Sequence, residues 1–122
     1  KEGFTLIEVM ISMLILAIGI LGLAPMMVTS MFGNAFSDDL TMATFLAQDG
    51  IERLKNQASI NPIPYNETTS NMFNVYTRTI RVDDRGTDGS VPPSVFRIRV
   101  TMTWTDNNEL NRTQSFVTYK SK

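Results

Sequence analysis

From Val9 to Val28 the sequence reads VMISMLILAIGILGLAPMMV, 20 consecutive residues without a charge. At ~1.5 Å per residue, a helix of that length spans ~30 Å, the thickness of a bilayer's hydrocarbon core. A secretory signal peptide has a shorter apolar run followed by small residues at a cleavage site. Here the run leads instead into Met31, Phe32 and Phe36. The expectation is a retained membrane helix. It leaves the rest of a 122-residue chain to form one small domain.

Charge divides the chain at the same place. Glu8 is the only charged residue between Phe4 and Ser37, whereas ten basic and ten acidic residues follow from Asp38 onward. A neutral second half without a basic cluster is not the footprint of a nucleic-acid binder. The chain has neither His nor Cys. That excludes His-dependent triads, thiol nucleophiles, Cys/His zinc sites and disulfides. The carboxylates are scattered, and none is paired with a nucleophile, so no enzyme is expected.

Inside the apolar run, Glu8 is the costly residue. A carboxylate at mid-bilayer costs ~2.5–3.5 kcal/mol, less towards the interface. It either snorkels to a membrane surface or is held for a partner cation. Pro25 cannot donate a backbone N–H and kinks or opens a helix, and Gly19 and Gly22 loosen the turns before it.

Gly3-Phe4-Thr5-Leu6-Ile7-Glu8, followed at once by the apolar run, resembles the processing signature of type IV prepilins and pseudopilins. The resemblance covers Gly3 to about Ser30. It implies that a prepilin peptidase cuts after Gly3 and methylates the new Phe4 amine. Lys1 and Glu2 are then the tail of a short cytoplasmic leader, incomplete or trimmed here. It implies further that Glu8 pairs with the Phe4 ammonium of a neighbouring subunit in a filament, so that cleavage switches assembly on. A loosened helical segment over Gly19–Pro25 belongs to the same pattern. Expected partners are other pilin subunits through the N-terminal helix, the peptidase, an inner-membrane assembly platform and, before assembly, membrane lipid. The head is expected in the periplasm, and the finished filament at the cell surface or in the periplasm.

Beyond Ser37, Leu40, Ala43, Ala47, Ile51, Leu54 and Ala58 draw one apolar stripe at helical spacing. Phe4 to about Ala58 therefore reads as one long kinked helix of roughly 80 Å. Residues 4–37 form its membrane or filament-core half, and 38–58 its half in a soluble head. Pro62 and Pro64 end the helix, and residues 59–72, rich in Asn, Thr and Ser, read as a loop. Val75–Val82 reads as a strand, an edge strand because Arg78 interrupts its apolar face. Val95–Trp104 alternates Phe96, Ile98, Val100, Met102 and Trp104 with Arg and Thr, and Arg112–Tyr119 pairs back on it. The expectation is an α+β, pilin-like fold: one helix on an antiparallel meander of about three strands within 73–120. Asp83, Asp84 and Asp88 lie near two glycines and are candidate Ca²⁺ ligands, but turn chemistry accounts for them and the spacing is not an EF-hand. No cofactor is expected.

Within the family, Ile18–Ala24 and Ala47–Leu54 are similar to V-type minor pilins, which prime assembly or sit at the tip. The alternatives are an I-type minor pseudopilin of type II secretion, a major pilin, or a membrane-anchored binding domain that never polymerises.

Overall fold

The switch from unbroken apolar sequence to helical and then two-residue periodicity is reproduced in the architecture. In the computed structural model, which describes residues 3–122, α1 (Leu6–Asn56) is followed by β1 (Tyr65–Met72), β2 (Tyr76–Asp83), β3 (Val95–Thr105) and β4 (Asn111–Ser121). The strands form one antiparallel sheet in chain order, β1-β2-β3-β4. This is the expected α+β, pilin-like layout, with four strands where about three were read. The chain divides into two compact units, one up to Ser37 and the other from Asp38 to Lys122.

In the first unit every residue from Gly3 to Asn34 is exposed. Its helix is long and apolar enough to cross a membrane. Hydroxyls here turn back onto their own backbone: Ser12 Oγ donates to Glu8 O at 2.8 Å, and Thr29 Oγ1 to Pro25 O at 2.9 Å. Such internal bonds spare a polar side chain from facing lipid unpaired. The helix runs without interruption through Gly19–Pro25, the segment expected to open.

The second unit holds the core. Ala43, Leu46, Ala47, Gly50 and Leu54 face inward from α1. They meet Tyr76, Ile80 and Val82 of β2 and Ile98, Val100, Met102 and Trp104 of β3. Leu40 and Ile51 of the predicted stripe flank this cluster, while Ala58 lies beyond the helix end and is exposed. On β3 the buried positions alternate with Arg99 and Thr103, the period-2 pattern of a sheet with one wet face.

Two expectations require correction. Residues 65–72, read as loop, form β1. Its sequence, YNETTSNM, lacks alternating apolar residues because it is an edge strand whose inward positions are only half-buried. It is fastened by register with β2 (Tyr65↔Val82, Glu67↔Ile80) and by Arg53 of α1, whose Nη2 donates to Glu67 Oε1 at 2.7 Å. Strand β2, read as an edge, is interior. Arg78 lies on its core face at 6% exposure, donating to Leu46 O at 2.9 Å and Asp49 Oδ2 at 3.0 Å. The helix must come close for that reach. A Cβ on Gly50 would stand 3.1 Å from Arg78 Cδ and Ile80 Cδ1, so glycine makes the room. At the other end of the sheet, Lys120 of β4 donates through Nζ to Leu54 O at 3.0 Å and to Gln57 O. A cation there satisfies carbonyls left open at the helix C-terminus and suits the helix dipole.

Candidate functional site: the N-terminal processing and assembly segment

Gly3, Phe4 and Thr5 precede α1, and Phe4 is 89% exposed. A Cβ at Gly3 would meet nothing within 4 Å. Lys1 and Glu2, the expected leader remnant, lie outside the described residues.

Glu8 stands in the first turn of α1. Its Oε2 accepts from Thr5 N at 3.3 Å and from Thr5 Oγ1 at 3.2 Å, while its own N–H donates to Thr5 Oγ1 at 3.4 Å. Glu8 N and Val9 N also donate to Thr5 O, at 3.1 and 3.3 Å. This is a reciprocal capping box, Thr-x-x-Glu, in which each side chain satisfies a backbone donor that the first turn leaves free. The carboxylate also complements the positive end of the helix dipole. Thr5 was missed as a site residue although its signal was available: a Thr three places before a Glu, at the start of an apolar run.

Phe4 and Glu8 line one groove, of about 430 Å³, with Val9, Ser12, Met13 and Leu16. One carboxylate on an otherwise apolar wall can receive a single cation and a greasy neighbour together. Chemically this is one carboxylate set among mostly apolar side chains. Gly19, Gly22 and Pro25 are not part of it. Added Cβ atoms at the two glycines would meet only open space, and Pro25 lines a different groove with Met26, Thr29 and Ser30.

The candidate metal residues are engaged otherwise. Asp83, 1% exposed, accepts from Arg81 Nε at 2.9 Å and pairs with Arg97 Nη2 at 3.3 Å. Asp88 accepts from Ser90 N and Oγ and pairs with Arg97. These bonds, that of the Ser90 hydroxyl first, hold its carboxyl well below the usual range. Asp84 accepts from Thr87 and from Lys122 Nζ, at 3.1 Å in each case, and Lys122 is the main cause of its lowered pKa. Among the described residues no group of three or more His, Cys, Asp or Glu is placed to hold a metal ion.

Searches of curated proteins and of solved structures returned no match to the chain. Its N-terminus does have a match: residues 1–24 fit the family model described as the prokaryotic N-terminal methylation motif, and they hold Gly3, Phe4 and Glu8 together.

Proposed function

We propose that the chain is a structural subunit of a type IV pilus-like filament, of the minor kind that primes assembly or sits at the tip. The observation that carries this reading is the methylation motif of residues 1–24 placed at the head of a helix that continues to Asn56 and leads into an α+β head. A prepilin peptidase cleaves after Gly3 and methylates Phe4. Cleavage turns the Phe4 nitrogen from an uncharged amide into an ammonium, and this cation is the partner that Glu8 of a neighbouring subunit awaits. The pairing replaces the Thr5 contacts as the carboxylate leaves lipid for a packed helical core, where an unpaired charge is expensive. Gly19–Pro25, helical in the single chain, opens on packing. Until then the helix is anchored in the inner membrane, and the head lies in the periplasm. The likeness of Ile18–Ala24 and Ala47–Leu54 to V-type minor pilins supports a minor subunit over a major one. The I-type pseudopilin of type II secretion shares every element of this mechanism and differs in where the filament ends.

The test is mass spectrometry of sheared, purified surface filaments. The expected result is a peptide beginning at N-methylated Phe4, at low abundance relative to other pilins. High abundance makes the chain a major subunit. A processed chain confined to the envelope makes it a pseudopilin, and an uncut N-terminus removes the filament reading altogether.

A further inference from the structure

The sheet has two edges, and they are defended unequally. Strand β1 is eight residues long, carries a register shift between Thr69 and Met72, and is tied to α1 through Arg53 and Glu67. Short length, irregularity and charge are the devices by which proteins keep other strands from pairing with an edge. Strand β4 has eleven residues in unbroken register with β3, from Asn111↔Thr105 to Ser121↔Val95. Between Arg112 and Lys120 lie Thr113–Tyr119 (TQSFVTY), seven residues with no charge, proline or glycine. A window of that composition on an open edge is a template for strand addition. Its apolar side chains are unfinished on both faces: Phe116 only partly covers the core, while Val117 and Tyr119 are about half exposed on the other side.

Charge decides against a second copy as the occupant. An antiparallel pairing of β4 with itself centred on Phe116 sets Arg112 opposite Lys120 twice, and in-register parallel stacking sets each cation on its own kind. Like charges directly opposite destabilise a pair, and flanking cations act as gatekeepers against self-association. Arg112 is matched by Asp106, but Lys120 meets only carbonyl oxygens among the described residues. We propose that the free edge of β4 takes up an extended segment of a different protein as a fifth strand. That segment is uncharged through its middle, apolar where it borders Phe116 and Val117, and acidic where it faces Lys120. The inference stands independently of filament assembly.

The experiment is hydrogen exchange with mass spectrometry on the full chain in detergent micelles. The probe is a synthetic nine-residue peptide alternating valine with threonine and closed by a glutamate at each end; a control has alternate amides N-methylated. The expected result is slower exchange across residues 111–121, about tenfold at a peptide concentration ten times its dissociation constant. Residues 65–72 stay unchanged, and the methylated control gives no protection. Val117→Lys, which adds an edge charge outside the core, is expected to abolish the effect while leaving the thermal midpoint unchanged. Unaltered exchange at β4, equal protection of both edges, or full protection of Val117→Lys overturns the proposal. Protection that grows with chain concentration and no peptide also overturns it, in favour of a second copy.

Discussion

Leu16 and Leu54 are the same side chain on one continuous helix, yet Leu16 is 63% exposed and Leu54 is fully buried. Around Leu54 the chain supplies its own apolar environment from β2 and β3. Around Leu16 it supplies none, and the surrounding side chains are as exposed as Leu16 itself. Burial stabilises by roughly 25 cal/mol per Å² of apolar surface whoever provides the cover. The head therefore carries its folding energy within itself, while the N-terminal half depends on cover from outside the chain.

This contrast can be broken experimentally. Glu8→Val should leave the chain in the membrane fraction and lower its filament content by about tenfold or more, the loss expected when the proposed core pairing is removed. Unchanged incorporation sinks the pairing account. Leu54→Ala should cost the head ~2–5 kcal/mol, measured by denaturant unfolding in micelles, and Leu16→Ala should leave that transition where it was. Gly50→Val should destabilise the head by ~1–3 kcal/mol through overpacking against Arg78 and Ile80. Gly50→Ala should cost less, because alanine gains ~1 kcal/mol of helix propensity.

Four carboxylates and one tyrosine of the head give the stability a pH dependence. Glu67 is held below the usual carboxylate range by Arg53, Asp84 by Lys122, Asp88 by Ser90, and Asp106 by the Leu110 N–H. The stabilisation from these depressed groups is complete above the unfolded carboxylate values near ~4 and is lost as pH falls through the folded ones. Tyr76 is pushed from 10.0 up to about 12 by burial and by its hydrogen bond to Asp39. Its contribution is complete below pH 10.0 and disappears as pH rises towards about 12. A thermal-midpoint titration should thus fall at both ends. Smallest of all, Thr5→Val should loosen the first turn by ~0.5–2 kcal/mol, read as faster amide exchange at Leu6–Val9, with no change in head unfolding.

What could be read from sequence follows the range of the forces involved. The apolar run and the Gly3–Glu8 signature are local, and so is the alternation of β3. Strand β1 was illegible because its inward face is barely buried, leaving cross-strand register rather than hydrophobic pattern to hold it. Arg78 misled for a related reason. A cation among apolar neighbours reads as an edge signal until its acceptors are known, and Leu46 O and Asp49 lie 32 and 29 residues away. Gly50 costs a helix interior ~1 kcal/mol relative to alanine, and the reason for it lies in two side chains of β2 that no local pattern announces. The carboxylates of residues 83–88 were legible as turn formers, but not as the clamp that Arg81 and Arg97 complete from β2 and β3.

The contact between Lys120 and the end of α1 has a consequence in time. Lys120 lies 66 residues beyond Leu54. Contacts so distant in sequence form late, because a long loop must close before they repay its entropy. During synthesis the apolar N-terminal stretch is therefore complete well before this contact can form. The tie between β4 and α1 is thus among the last parts of the head to close.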